Sequence, residues 1–100
     1  MSYCLQIRPE ALADIEGATE WYEQQEIGLG SDFAKAVVEA IDSLLFNPLL
    51  YRSRDRRRNV RWLLTKRFPY KVVYQIKGER VEVFAVLHAA RHKRQWKRRL

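Results

Sequence analysis

His88 and Arg91 stand at the end of the last apolar run of a 100-residue chain, and Arg61 lies on an earlier run. These residue types suit attack of a ribose 2′-hydroxyl on the adjacent phosphate. That reaction needs a base for the hydroxyl proton, cations for the charge that builds on phosphorus, and an acid for the leaving oxygen. His88 offers the acid or base, Arg91 a phosphate clamp, and Tyr70 a further acid. Arg61 and His88 each sit opposite the core series of their strands, so Arg61, His88 and Arg91 are expected to converge on one sheet face. Structural roles compete for the same residues. A histidine beside Ala89–Ala90 at a strand end can hydrogen-bond the backbone and hold the tail, and one imidazole without a titratable partner is thin support for catalysis. Arg91 can pair with an acidic helix residue. Tyr70 shares a register with Val72, Tyr74 and Ile76, a core series, and Trp62 and Trp96 read as packing anchors.

Other chemistries find little footing. Gly28–Leu29–Gly30 lacks the preceding strand that a phosphate-cradling loop requires. His88 and His92 have i,i+4 spacing, but no carboxylate is near and the basic residues around them repel a cation, so no metal site is expected. Cys4 stands alone and cannot form an internal disulfide. No cofactor is expected.

Charge is divided unevenly. Residues 1–50 carry two basic and nine acidic side chains, whereas residues 51–100 carry seventeen basic and three acidic, within a net charge of +7. A second half this basic points to an anionic partner: RNA, DNA, an acidic protein segment or a lipid surface. The plain alternative is a solvated basic face. No stretch approaches the roughly 20 apolar residues needed to span a bilayer. The chain does not open like a secretory signal, and a cytoplasmic protein with no membrane partner is expected.

The elements that must position these residues can be read from periodicity. Tyr3, Leu5 and Ile7 alternate as in a strand. Pro9 then suits the first position of a helix running from Glu10 to about Gln25, with Leu12, Ile15, Thr19 and Tyr22 on one stripe. Gly28 and Gly30 break it, and Ser31 is a plausible N-cap for a second helix carrying Phe33, Val37, Ile41, Leu44 and Leu45. Asn47–Pro48 ends that helix. Tyr51–Asn59 reads as a basic loop. Val60–Leu64, Phe68–Ile76 and Val81–Leu87 read as strands, the last two joined by a turn at Lys77–Arg80. Arg91–Leu100 is a basic tail. The order β-α-α-β-β-β predicts one α+β domain over residues 1–100. Its antiparallel helical hairpin should pack on one face of a mostly antiparallel four-stranded sheet, leaving the other face to a partner.

Four motifs in this order carry a resemblance. Ala13–Asp14–Ile15 lies in the first helix, and Phe46–Asn47–Pro48 ends the second. Arg67–Phe68–Pro69–Tyr70 leads into Lys71–Val72–Val73–Tyr74, and Val86–Leu87–His88–Ala89–Ala90–Arg91 is followed by Trp96 and Arg98. Together they resemble the RelE/ParE toxins of type II toxin–antitoxin systems, the plasmid stabilisation proteins, and the ParE branch in particular. The resemblance implies a growth-inhibiting toxin neutralised by a directly bound small antitoxin with an acidic segment, touching DNA only through that antitoxin. ParE-like members poison DNA gyrase, and RelE-like members cut messenger RNA on the ribosome as metal-independent endoribonucleases. The ribosome-dependent members end in a tyrosine or a histidine–tyrosine pair and some use a mid-sheet glutamate. This chain ends Lys97–Arg98–Arg99–Leu100 and has no acid in Val60–Leu64 or Phe68–Ile76. Gyrase inhibition is therefore favoured, with the ribonuclease and a non-toxic protein- or nucleic-acid-binding module as alternatives. If the chain is a ribonuclease, Arg61, His88 and Arg91 carry catalysis. Arg56, Arg57, Arg58, Lys66, Arg67, Arg94, Trp96 and Arg98 are the expected target- or antitoxin-binding residues.

Overall fold

The computed structural model describes residues 2–91 and 95–100. Strand β1 (Cys4–Ile7) leads directly into helix α1 (Pro9–Gln25), where Pro9 occupies the first turn and loses no intrahelical bond. The turn to α2 (Leu29–Leu44) is made by Gly28 at φ 89°. The Glu23 carboxylate accepts the N–H groups of Gly28 and Gly30 at 3.0 and 3.1 Å. It thereby caps α2 from the preceding helix, and Ser31, the expected cap, falls inside the first turn. A Cβ on Gly30 would stand 2.6 Å from the Thr19 carbonyl oxygen, so only glycine allows the helices to approach this closely.

Phe33, Val37, Ala40, Ile41 and Leu44 recur at helical spacing on α2 and are buried. They face a sheet made of β1, β2 (Ser53–Asp55), β3 (Val60–Leu64), β4 (Tyr70–Lys77) and β5 (Arg80–His88), in the spatial order β1-β5-β4-β3-β2. β1 runs parallel to β5 and the other neighbours are antiparallel. The sheet thus has five strands and is mixed, where four were expected. The added strand, β2, is three polar residues inside the expected loop, and no apolar alternation marks it. A bulge at Ser53/Asp55 and the positive φ of Asn59 (55°) close it against β3.

β4 begins later than the expected Phe68. The Thr65 hydroxyl donates to the Phe68 carbonyl at 2.8 Å, and Arg67 takes φ 74°, so residues 65–68 form a turn. This turn drops Phe68 into the core against Tyr22 and Phe33, at centroid distances of 4.9 and 5.4 Å. Such aromatic pairs add about 0.5–1.5 kcal/mol each beyond area burial.

A second bulge shapes the site. Val73 pairs with Ala85 but Tyr74 pairs with Val83, which leaves Phe84 as the extra residue in β5. Val81 and Val83 before it, and Val86 after it, join the helix-side core, while Phe84, Ala85 and Leu87 turn to the far face. That far face is not left bare: Trp96, on a 3-10 helix at Gln95–Arg99, packs there with Val60, Val73 and Trp62.

Candidate functional site

The bulge puts His88 on the helix side, paired across the sheet with Tyr70 at a ring separation of 5.4 Å. Both line a cleft of about 380 Å³ between the middle of α1 and the end of β5, with Asp14, Trp21, Arg91 and Gln95. His88 Nδ1 accepts the N–H groups of Ala90 and Arg91 at 3.1 and 3.2 Å, which places the proton of the neutral ring on Nε2. The imidazole therefore caps the turn that carries Arg91. Burial raises the Tyr70 hydroxyl above its ordinary pKa, against the opposing charge of Arg91. Burial likewise raises Tyr22, again against the lowering effect of the Arg91 charge.

Arg61 is not in this cleft. Its guanidinium donates to the Tyr51 carbonyl at 2.6 Å, the Leu49 carbonyl at 3.3 Å and Asn59 Oδ1 at 3.3 Å, tying the loop after α2 to β3. Arg61 pairs with Tyr74 and His88 with Tyr70, four residues apart on β4, a separation of roughly 13 Å along the strand. Arg61 and His88 do emerge on the same face, the helix side, because their partners Tyr74 and Tyr70 both pack in that core, but across this separation the expected convergence of Arg61, His88 and Arg91 does not occur. The bulge in β5 reverses the side on which His88 emerges, and carbonyl oxygens occupy Arg61.

Asp14 is a residue the sequence reading left without a role. Its carboxylate takes two hydrogen bonds from Arg99, at 2.6 and 3.0 Å, and the Val86 N–H at 3.0 Å. β1 pairs with β5 only as far as Val83, so beyond that point α1 supplies the acceptor that the missing strand would have given. Arg99 also donates to the Phe84 carbonyl at 3.1 Å, and Arg8 donates to the Arg99 carbonyl. The hydrogen bond to Asp14 raises the Arg99 pKa despite partial burial. One signal was available: Asp14 falls between the buried Ala11 and Ala18 on a single helical stripe. A second acid, Glu82, is nearly buried on the far side and pairs with Arg8, Arg80 (3.3 Å) and Lys77 (3.6 Å). Burial alone would raise its pKa, but the hydrogen bond and charge of Arg8, with Lys77 and Arg80, outweigh that and hold it below its ordinary value.

The remaining expected binding residues fall into three groups. Arg56, Arg57 and Arg58 form the exposed turn between β2 and β3. Lys66 and Glu39 line a groove of about 310 Å³ between α2 and β3, walled by Ala36, Ala40, Leu63 and Leu64, and Arg67 lines an adjoining hollow, where it pairs with Asp32 at 3.3 Å. β2 pairs only with Val60 and Arg61, so the outer edge of Trp62–Leu64 beside this groove extends past it. Trp96 is buried and anchors the tail, Arg98 is exposed, and Arg94, like His92, lies outside the described residues. Among the described residues no helix is long and apolar enough to cross a membrane, and no group of three His, Cys, Asp or Glu side chains could hold a metal.

Residues 5–93 match the family model described as ParE toxin of type II toxin-antitoxin system, parDE. Among solved structures, one described as "Chromosomal ParDE TA system from P. aeruginosa" superposes with a TM-score of 0.72. It is 20% identical, over 86% of this chain and 95% of that one. No curated protein matches the sequence.

Proposed function

Because the chain belongs to the ParE toxin family of type II toxin–antitoxin systems, we propose that it acts inside the bacterium by binding and inhibiting DNA gyrase, without chemistry of its own. The observation that carries this reading is the use already made of the candidate catalytic groups. His88 Nδ1 is occupied by two backbone N–H groups, and Arg61 is spent on carbonyl oxygens far from the cleft. A ribonuclease of this size would need those groups assembled around one phosphate.

A ParD-type antitoxin is the partner that the family implies. The groove between α2 and β3 suits one of its segments: apolar walls for alternate side chains, an open strand edge for main-chain hydrogen bonds, and Lys66, with Arg67 in the adjoining hollow, for its carboxylates. The test is a supercoiling assay with purified gyrase. The isolated chain should inhibit it stoichiometrically, and adding the acidic antitoxin segment should restore activity. Undiminished supercoiling at saturating toxin, together with translation-dependent transcript cuts in cells, would replace this reading with the ribonuclease.

A further inference from the structure

The groups just described leave the most basic part of the molecule unexplained. Arg52, Arg54, Arg56, Arg57 and Arg58 lie on the arch formed by β2 and its turn into β3, and all five are exposed. The one acid among them, Asp55, accepts the Arg58 N–H at 3.1 Å and pairs with its guanidinium at 3.9 Å. Among the described residues no carboxylate pairs with Arg52, Arg54, Arg56 or Arg57. Arg54 lies 4.0 Å over the Trp62 ring, and Lys71 lies 4.5 Å from the same ring. Trp62 meets Trp96 edge-on at 5.9 Å, and Lys97 stands over Trp96. Partial burial, and then the neighbouring Arg52 charge, lower the Arg54 pKa.

The arch is also rigid at both stems. Arg61 holds the Tyr51 carbonyl at one end, and the Gln75 amide holds the Arg58 carbonyl at 2.8 Å at the other. The acids, in contrast, crowd α1 and α2: Glu16, Glu20 and Glu23 on the first, Glu39 and Asp42 on the second, all exposed. The protein is thus electrically two-sided.

We infer that this arch binds the phosphodiester backbone of nucleic acid directly, so that the toxin itself, and not only its antitoxin, contacts a polynucleotide. A protein partner gains affinity from an apolar centre ringed by polar groups. From Arg52 to Arg58 the arch offers none, only exposed guanidinium groups and one carboxylate already paired with Arg58. Phosphate recognition needs nothing more, and it carries no sequence preference. The inference does not depend on gyrase being the target.

The test uses fluorescence anisotropy of the full chain with a labelled duplex DNA of about 20 base pairs and a single-stranded RNA of similar length, at several salt concentrations. Two variants of equal charge loss are compared: Arg56→Gln/Arg57→Gln on the arch and Lys66→Gln/Arg67→Gln by the groove, each checked for an unchanged melting curve. The wild type should bind at least one of the two polymers. The arch variant should weaken binding roughly tenfold or more and flatten the log–log salt slope by about two. The groove variant should stay within about twofold of wild type. Equal losses in both variants would mean a net-charge effect and overturn the inference. So would no binding at about 50 mM salt, or equal binding of a poly-glutamate peptide of matched length. Duplex binding or RNA binding alone each supports it and identifies the source of the phosphates.

Discussion

Arg99 and Asp14, 85 residues apart in sequence, meet through two hydrogen bonds of 2.6 and 3.0 Å and join the last turn of the chain to its first helix. The same carboxylate takes the Val86 N–H, so one side chain holds the tail, the bulged strand and the helix together. Asp14→Ala should lower stability by about 1–3 kcal/mol, the range for losing charge-assisted bonds at a partly buried site. For a chain of this length each kcal/mol is about 4–8 °C in melting temperature. Arg99→Ala should destabilise less, because an unpaired Asp14 still accepts the Val86 N–H. A double variant no worse than Asp14→Ala alone would show that the two residues act as one unit.

Glu82 sets a pH dependence. Its folded-state pKa is depressed below 4.5, so the stability it contributes is complete above the unfolded value and is lost as pH falls through the lower folded value. Urea denaturation from pH 6 downward should therefore show stability falling below about pH 4.5. Glu82→Gln should be less stable at neutral pH and should lose less on acidification. Parallel curves for the two proteins would assign the acid sensitivity elsewhere.

Much of this architecture could be read from residue types, and the misses have physical causes. Alternation and helical stripes are local properties of side chains, so β1, the helical hairpin and the three long strands were legible. β2 was not, because Ser53–Arg54–Asp55 has no apolar face and pairs only through backbone geometry. The bulge at Phe84 was invisible in a strand apolar from Val81 to Leu87 except at Glu82, and that one inserted residue moved His88 to the side opposite the expected one. The partners of Asp14 and Arg99 depend on tertiary proximity that no local pattern encodes. The Ala13–Asp14–Ile15 motif carries the family resemblance in sequence, and its acid makes three hydrogen bonds in the fold.

Gly30 and Tyr74 test the packing that positions the groove. Gly30→Ala pushes a methyl group to 2.6 Å from the Thr19 carbonyl oxygen and should destabilise by about 1–3 kcal/mol, despite alanine's better helix propensity. A stabilised variant would contradict the close approach of the two helices.

The Tyr74 hydroxyl donates to the buried Pro48 carbonyl at 2.5 Å. Tyr74→Phe leaves that oxygen without its donor and should lower stability by about 1–2 kcal/mol. It should also loosen the loop after α2, read as faster amide exchange at Leu49 and Leu50. Burial pushes the Tyr74 hydroxyl well above its ordinary pKa of 10. Its stabilisation is complete below that value and disappears as pH rises beyond it, so the wild type should lose stability above about pH 10 more steeply than Tyr74→Phe.

The claim that the toxin binds rather than cleaves is tested most directly by growth arrest on induction of His88→Asn. The asparagine oxygen can accept the Ala90 and Arg91 N–H groups in place of Nδ1, which keeps the turn while removing the imidazole from the cleft. Growth arrest equal to wild type, with gyrase inhibition intact, is the expected result. A folded variant with an unchanged melting curve and no toxicity would contradict it.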